Sequence, residues 1–420
     1  MSGLTDNNNN NNNNTMNNKF DVVIAGGGLS GCLTALSLAD CKHANGTPLS
    51  IAIVEANPIL SDASLTFDDR VLALSHGTSR YFEKLGAWQT LRTDAEPIKR
   101  IHISDRGYYG KARLDAHDHD VFALGYVVEM SLIGKSLLTA LKPKNNVHWF
   151  APNSIQAIKW QSSGVQISLD NDESLNGKLL LACDGGMSAC RQFANIGVDK
   201  HDYGQAALIA NVSTSKPHDN IAYERFTETG PIAMLPLSAG KHQQVNQGAR
   251  CSLVWTLTPE KAETMQALSD DLFKQQLESA FGSWLGAITH VGKRNVYPLS
   301  LVQAQEQIYH RMALVGNASH TIHPIAGQGF NLGVRDVQQL ATLISQALSH
   351  HQDIGGFSLL NQYAQHRKAD QQQVIALTDS LVTLFSNDLA PLVVGRNIGL
   401  KVLNYFTPLK NALVKKTMGY

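Results

Sequence analysis

The chain has 420 residues, and its 35 Lys and Arg residues balance 35 Asp and Glu residues. This length supplies roughly two to three domains and a sizeable core, and the neutral balance predicts no nucleic-acid partner. The five cysteines form no CxxC pair and are odd in number, which predicts reduced thiols. No hydrophobic signal core or membrane-spanning apolar run is present, so the sequence predicts a cytoplasmic protein.

Residues 1–18 are a polar tract built around an unbroken asparagine run from Asn7 to Asn14. Such a tract cannot bury enough apolar surface to offset the entropy of ordering it. We therefore predict a disordered tail. The first ordered element is expected to begin at about Phe20.

A glycine-rich turn follows the first predicted strand. The strand at 20–25 leads into a GxGxxG pattern, a helix-like segment and a second strand that ends in Glu55. Gly26 would make the turn, Gly28 would let the backbone approach a pyrophosphate, and Gly31 would allow close helix–strand packing. Glu55 is placed to accept hydrogen bonds from ribose hydroxyls. The alternative is a coincidental glycine turn, but the whole strand–turn–helix–strand–acid unit indicates a dinucleotide site.

Arg70 lies just downstream of this unit. The segment from Asp68 to Ser75 is predicted to open a helix that ends near Gly86. Arg70 could pair with phosphate or carbonyl groups of a flavin dinucleotide. The alternative is a surface salt bridge with Asp68 or Asp69.

A second acid-and-glycine element ends a later strand. The apolar run at 179–183 stops at Asp184 and Gly185. An acid and glycines at the carboxyl end of a buried strand are typical of the ligand-binding edge of an α/β sheet. The alternative is that Asp184 only caps a short helix at 188–191.

The most informative stretch begins with the strand at 312–315. This strand breaks into a loop that contains Asn317 and Pro324 and opens onto a helix from about Phe330. The glycines around this opening are Gly327, Gly329 and Gly333. Such a loop brings backbone close to a flat or anionic ligand and aims N–H groups at it. A tight connection would explain one or two glycines, but not the whole run.

These motifs, in this order and spacing, resemble the single-component FAD aromatic hydroxylases, and most closely the hydroxylases of ubiquinone biosynthesis. The segments 69–74, 125–129 and 378–386 are also similar to that family. The family's usual Gly-Asp pair is Gly316-Asn317 here. An Asn oxygen can still accept a hydrogen bond from a ribityl hydroxyl, so we expect the substitution to alter affinity without preventing binding.

The resemblance implies a set of cofactor contacts. The residues implied to bind FAD are Gly26, Gly28, Gly31 and Glu55 at the AMP half, Arg70, Asp184 and Gly185 beside the flavin, Asn317 at the ribityl chain, and Pro324, Gly327, Gln328, Gly329 and Asn331 at the isoalloxazine. The helix that begins near Asn331 would stabilise negative charge on the reduced flavin.

The resemblance also implies an α/β fold with a Rossmann-like FAD-binding domain, a β-sheet substrate domain and a C-terminal helical region. We assign 19–94, 122–198 and 300–365 to a discontinuous FAD-binding domain, 95–121 and 199–299 to the substrate domain, and 366–420 to the helical region. The last of these starts with a helix predicted at 366–385. The apolar and basic tail beyond it could pack on the protein itself, on a partner such as another ubiquinone-biosynthesis protein, or on the inner membrane.

The chemistry implied is hydroxylation of a polyprenylated phenol. NAD(P)H would reduce FAD, and O2 would give a flavin C4a-hydroperoxide that passes oxygen to the ring. No second GxGxxG unit is present, which favours transient docking of NAD(P)H. No side chain stands out as a general base, and the HxxH pair His320 and His323 lacks a third ligand, so no metal site is predicted. Two alternatives stay open, namely an FAD-dependent polyprenyl reductase and a non-catalytic scaffold subunit.

Overall fold

The computed structural model describes residues 18–59, 70–106, 110–239, 248–323, 327–385 and 418–419. The predicted Asn-rich tail, the Asp68 and Asp69 alternative for Arg70, Pro324, and nearly all of the tail beyond residue 385 lie outside these ranges. Among the residues that are described, no helix is long and apolar enough to cross a membrane.

The strands, in chain order, are β1 (Lys19–Ala25), β2 (Ile51–Val54), β3 (Val71–Ser75), β4 (Glu96–Ile98), β5 (Arg100–Asp105), β6 (Lys111–Asp115), β7 (Gly125–Glu129), β8 (Val147–Phe150), β9 (Ile155–Trp160), β10 (Val165–Leu169), β11 (Ser174–Ala182), β12 (Val198–Thr214), β13 (Ile221–Thr227), β14 (Gly230–Leu237), β15 (Ala249–Leu257), β16 (Ile288–Val291), β17 (Asn295–Ala304), β18 (Ile308–Tyr309), β19 (Met312–Leu314) and β20 (His320–Thr321). The helices are α1 (Leu29–Leu38), α2 (His76–Lys84), α3 (Trp88–Leu91), α4 (Met130–Leu141), α5 (Ala189–Phe193), α6 (Pro259–Ala267), α7 (Asp270–Phe281), α8 (Gln328–Ser349) and α9 (Phe357–Phe385), with 3₁₀ turns at Ala116–His119 and Gly316–Ala318.

An eight-stranded sheet holds the glycine-rich turns. Its order is β18-β19-β11-β1-β2-β8, and β10 and β9 extend from β11. The five strands from β19 to β8 are parallel, so their carboxyl ends meet at one edge. Central strand β1 is an unbroken apolar run after its first residues, as expected for a parallel strand covered on both faces. The predicted α/β class with a parallel sheet is confirmed.

Both faces of this sheet are covered. One face packs against α1, α4, α8 and α9, which contribute fully buried residues such as Leu33, Ile133 and Tyr363. The Tyr363 hydroxyl donates to the Leu314 carbonyl at 2.8 Å, which ties α9 to the end of β19. The other face of the parallel strands is covered by α5 and by β9 and β10, the antiparallel strands that extend from β11 in the same sheet. The last helix begins at Phe357 and not at the predicted His366, because its first turns fill this core.

A nine-stranded sheet stands beside the first. Its order is β20-β17-β12-β15-β14-β13-β5-β6, with β16 on β12. One face is sealed by α6 and α7 around Trp255, Phe273 and Phe281. The hairpin β5–β6 joins this sheet through a parallel pair with β13, although about 120 residues separate the paired positions. The division of the chain into an FAD-binding and a substrate domain stays a prediction.

A small three-stranded sheet, β3-β7-β4, lies between the two larger ones. Its Ile98 and Val127 pack against Ala222 and Leu237 of the nine-stranded sheet. The prediction that a helix opens at 68–75 is wrong, since β3 occupies 71–75 and pairs antiparallel with β7. The helix α2 starts only at His76, where the Ser75 side chain accepts from the Thr78 N–H at 3.2 Å. Strand pairing therefore overrides the local pattern.

Candidate functional site

The first glycine turn joins β1 to α1 at the carboxyl edge of the parallel sheet. Gly26 has φ +94°, and a Cβ on it would lie 2.7 Å from the Cys183 carbonyl oxygen. A Cβ on Gly31 would lie 1.8 Å from the Gly26 carbonyl oxygen. Only glycine at position 31 therefore lets α1 pack this closely against the turn. A Cβ on Gly28 would meet nothing within 4 Å. The turn is therefore tightly packed at Gly26 and Gly31 and open at Gly28, where a pyrophosphate would approach the N-terminus of α1.

Glu55 holds this turn from the end of β2. Its Oε2 accepts from the Gly27 N–H at 2.7 Å, and its Oε1 accepts from the backbone and side-chain N–H groups of Asn57, both at 2.9 Å. The carboxylate has lone pairs left for further donors, such as ribose hydroxyls. Its position at the carboxyl edge fits the predicted ribose contact.

Asp184 and Gly185 follow β11 at the same edge. Asp184 Oδ2 accepts from the Cys190 N–H at 3.0 Å, while its Oδ1 is buried with no partner among the residues described. Gly185 has φ +83° and open space around its Cβ position. The N-cap residue of α5 is Ser188, but Asp184 Oδ2 also accepts a first-turn N–H of this helix, so the capping alternative accounts for Oδ2 and leaves Oδ1 unexplained. A buried acceptor without a donor is costly, and the open space lets a ligand supply the donor.

The third loop turns sharply at Gly316, with φ +60°. The Gly316 N–H donates to Asp336 Oδ2 at 2.9 Å, and a Cβ on Gly333 would lie 3.2 Å from the Gly316 Cα. These contacts press α8 against the loop. Asn317 is exposed at the tip of the turn and so is available to a ligand.

Asp336 is the centre of a buried polar network that the sequence did not reveal. It also accepts from His320 Nε2 at 2.9 Å, from Arg367 Nε at 2.6 Å and from Gln371 Nε2 at 3.3 Å. Burial alone would raise the pKa of this carboxyl, but His320 and Arg367 outweigh burial and lower the pKa below its usual range. The network fixes the Gly316 turn. His320 is bound to a carboxylate here, and the described residues contain no group of three or more candidate metal ligands.

The N-terminus of α8 is anchored to β3. Gly327 is left-handed, with φ +61°, and precedes the helix. The Asn331 side-chain amide donates to the carbonyls of Ala73 and Gly327 at 2.9 and 2.8 Å, and its Oδ1 accepts from the Ser75 N–H at 2.9 Å. Asn331 is predicted to bind the cofactor. Because its amide is hydrogen-bonded to backbone groups, it would do so by fixing the position of the N-terminus of α8.

The other predicted residues of this region lie on the same helix. Gln328 is buried, and its Oε1 accepts from Arg335 Nη2 at 3.4 Å. Gly329 has its Cβ position 3.8 Å from Ile322, which is ordinary contact. The helix has no acidic residue in its first turn, so its positive end is free of a competing charge within the helix.

We expect Asn331→Asp to lower the melting temperature and to weaken FAD retention. The substitution keeps the size of the side chain but turns a carboxylate oxygen toward two carbonyl oxygens, at a cost of about 2–3 kcal/mol. Thermal unfolding and the flavin content after gel filtration measure the two effects. Asn45→Asp is the matched control, because exposed Asn45 uses only its oxygen as an acceptor. Equal behaviour of the two variants would contradict the anchoring role.

Two arginines border the site. Arg70, at the start of β3, lies over the Tyr297 ring at 5.3 Å from its centroid. Arg191 is buried, and it donates from Nη1 to the Ala318 carbonyl at 2.9 Å and from Nη2 to the Gly186 carbonyl at 2.8 Å. Arg191 therefore fastens the second loop to the third. Its role could not be predicted from the sequence, because both acceptors are backbone carbonyls and one of them lies 127 residues along the chain.

The residues present fit FAD. Three glycine loops converge on one sheet edge, Gly28 and Gly185 leave open space, and Asp184 offers a buried acceptor oxygen without a partner in the described ranges. Two helices, α1 and α8, direct their N-termini to this edge. Such a cradle suits an elongated anionic dinucleotide with a flat ring at one end.

Opposite the small sheet, the nine-stranded sheet carries a row of half-buried residues on the face that α6 and α7 leave open. Five strands contribute one residue each in register, namely Ile103, Glu224, Ala233, Val254 and Ile209. We call these five the cavity row. Ala222, one pleat from Glu224, packs on the small sheet, whose β3 is anchored to α8. The cavity row therefore forms a mainly apolar, partly open surface next to the small sheet to which the N-terminus of α8 is anchored.

Comparisons with known proteins agree with this cradle. The family described as FAD binding domain matches residues 19–378. The chain is 33% identical over 404 residues to the ubiquinone hydroxylase UbiL of Rhodospirillum rubrum, covering 95% of this chain and 89% of that protein. It is 30% identical over 442 residues to the human mitochondrial ubiquinone biosynthesis monooxygenase COQ6, covering 94% and 92%. The crystal structure of p-nitrophenol 4-monooxygenase PnpA from Pseudomonas putida superposes with a TM-score of 0.75 at 18% identity, covering 96% and 99%, which confirms the fold.

Proposed function

The chain belongs to the FAD binding domain family and, within it, to the ubiquinone-biosynthesis hydroxylases, and from this premise we propose that it hydroxylates the ring of a polyprenylated phenol of the 2-octaprenyl-6-methoxyphenol type. The chain is an FAD-dependent monooxygenase that uses NAD(P)H and O2. The proposal concerns the substrate. The observation that carries it is the cavity row, an apolar wall beside the flavin cradle that holds one carboxylate.

The bound FAD supplies the activation of O2 by reductant-derived electrons. The chain's own residues do the remaining work. Gly26, Gly28 and Gly31 admit the pyrophosphate, and Glu55 is placed for the ribose. Asn331 fixes the end of α8 beside the ring. The apolar members of the cavity row would hold the phenol ring and keep water away from the place where the ring reacts.

The proposed location is cytoplasmic, at the surface of the membrane that stores the polyprenyl substrate. The apolar and basic tail predicted for this contact lies outside the described residues, apart from its end. There, the Met418 carbonyl accepts from the Gly77 N–H at 2.7 Å, and Met418 packs with Leu114, Ala116 and Leu124. We propose that other ubiquinone-biosynthesis proteins are partners at this surface.

We expect the purified protein to be yellow and to consume O2 when NADPH and a short-chain prenylated 6-methoxyphenol are both present. The product should carry one additional ring oxygen, detected as a mass increase of about 16 Da that becomes about 18 Da with labelled O2. The unprenylated phenol is the control, since it lacks the apolar tail. Oxidation of NADPH without O2 uptake, accompanied by saturation of a prenyl double bond, would instead identify a reductase. A colourless protein that stays inactive with added FAD would indicate a scaffold.

A further inference from the structure

Glu224 is the single carboxylate of the cavity row. It lies on β13 between Ile103 of β5 and Ala233 of β14, in register with both. Its neighbours in the chain, Tyr223 and Arg225, point to the opposite face, where both contact Trp284. Glu224 therefore points into the space beside the cradle, although it is surrounded by apolar side chains.

The Glu224 carboxylate has no hydrogen-bond or ion-pair partner within the described part of the chain. Other charged residues face the same side. Asp105 is buried farther along β5, Arg250 is paired with Glu129 at 3.0 Å, and Arg70 lies over Tyr297. None of these charged residues contributes to the pKa shift of Glu224. Burial alone raises its pKa to about 7.

Folding does not explain this carboxylate. A half-buried carboxylate without a partner adds nothing to the packing of this apolar face, so an apolar residue would suit packing alone better. Unpaired carboxyls with raised pKa values are typical of acid–base sites. A ligand hydroxyl that enters the cavity would supply the missing partner.

We propose that Glu224 is the catalytic base that accepts the proton of the substrate's phenolic hydroxyl. The proposal rests on the proposed function. In this step the phenolic O–H bond breaks, its electron pair stays on the ring oxygen, and the proton forms a new O–H bond on Glu224. After oxygen transfer, the ring loses its C–H proton to solvent, and Glu224 returns its proton to the ring oxygen, which restores the phenol and the free base.

The chemistry of this step suits the site. A phenol has a pKa of about 10, and its anion donates electron density to the ring far more strongly than the neutral hydroxyl does. A base whose pKa lies near the working pH is ionised often enough to accept a proton and is basic enough to hold it. Above a pH of about 7, Glu224 is mostly ionised, so turnover should rise through that pH.

The first test compares Glu224→Gln with Glu228→Gln, a matched change at an exposed residue near the end of the same strand. For the prenylated phenol we expect kcat to fall about 10²- to 10⁴-fold in E224Q and to stay unchanged in E228Q. The fall should shrink for ring-fluorinated or nitro-substituted phenols, which ionise without help. Glu224→Asp should retain part of the activity and the rise with pH. An equal loss for all phenols would overturn the role as a base.

The second test needs no turnover. The dissociation constants of the phenol and its methyl ether are measured on the FAD-loaded protein from the flavin absorbance, at pH 8. Wild type should prefer the phenol about tenfold or more, because only the phenol donates to the carboxylate, and E224Q should lose most of this preference. An unchanged preference would overturn the proposal.

The two tests separate this proposal from the proposed function. If wild type binds the phenol with a Glu224-dependent preference but forms no hydroxylated product, the substrate proposal fails and the role of Glu224 in binding the hydroxyl stands. If wild type forms the product and E224Q matches it in both tests, the substrate proposal stands and the base is elsewhere. The flavin spectrum of E224Q shows whether this variant still binds FAD normally. If it does not, Glu224→Asp is used in its place.

Discussion

Replacing Asp336 with Asn is expected to lower the free energy of unfolding of the FAD-free protein by about 3–5 kcal/mol. The side chain of Asp336 is 0% exposed, and the change leaves buried Arg367 without its counter-charge and replaces the acceptor beside His320 Nε2. It also weakens the acceptor for the Gly316 N–H. FAD retention should therefore fall together with stability. Urea unfolding and flavin content measure the two effects.

The matched control is Asp353→Asn. Asp353 pairs with Arg311 through two hydrogen bonds, but its side chain is 48% exposed, so the loss should be no more than about 1 kcal/mol. The pKa of Asp336 is lowered on folding. Its stabilisation is therefore present above the unfolded pKa of about 3.9 and is lost as the pH falls through the still lower folded value. The difference in free energy of unfolding between wild type and D336N should stay constant from pH 8 to pH 5. Equal losses of unfolding free energy in D336N and D353N would contradict the stabilising role of the buried Asp336 network.

Gly28→Val and Gly31→Val are expected to abolish FAD retention for different reasons. A Cβ on Gly31 would lie 1.8 Å from the Gly26 carbonyl oxygen, so α1 must move, and the FAD-free protein should lose at least about 2 kcal/mol. A Cβ on Gly28 would meet open space at an ordinary φ of −69°, so the FAD-free protein should keep its stability. Its FAD affinity should still fall on the order of a hundredfold, or about 2.8 kcal/mol, because the side chain occupies the approach of the pyrophosphate.

Isothermal titration with FAD and thermal unfolding of the FAD-free proteins separate these two outcomes. The variants are controls for each other, since the same side chain is added three residues apart. A stable Gly28→Val protein with normal FAD affinity would show that the cofactor does not pass in front of this turn. A stable Gly31→Val protein would show that the packing of α1 on the turn is looser than the structure has it.

The glycine loops could be predicted from the sequence because each is a local pattern. A strand, a glycine at a fixed spacing and a helix are contiguous, and their geometry follows from backbone sterics. The strand β3 could not be predicted in this way. Its Val-Leu-Ala-Leu run suits either a helix or a strand, and the pairing with β7, more than fifty residues away, decides between them.

The charged residues of the site were missed for a related reason. Asp336 stands in an apolar helical stripe with Val337 and Leu340, which signals a buried charge, but its partner Arg367 lies on another helix. Glu224 alternates with Tyr223 and Arg225, and alternation does not say which face of a strand is lined by apolar groups. Only the register of five strands shows that Glu224 belongs to the cavity row.

The order of strands in the parallel sheet has a consequence for synthesis. During translation, β1 emerges well before its neighbours, since β11 follows only after more than 150 residues and β19 after nearly 300. The Gly316 turn is secured by Asp336 and Arg367, which emerge later still. A nascent chain that stops short of Arg367 thus has every strand of this sheet but lacks the partner that holds Asp336 against the Gly316 turn. We infer that cofactor capture is the last event of folding, and that shortened chains are substrates for proteolysis instead of partial enzymes.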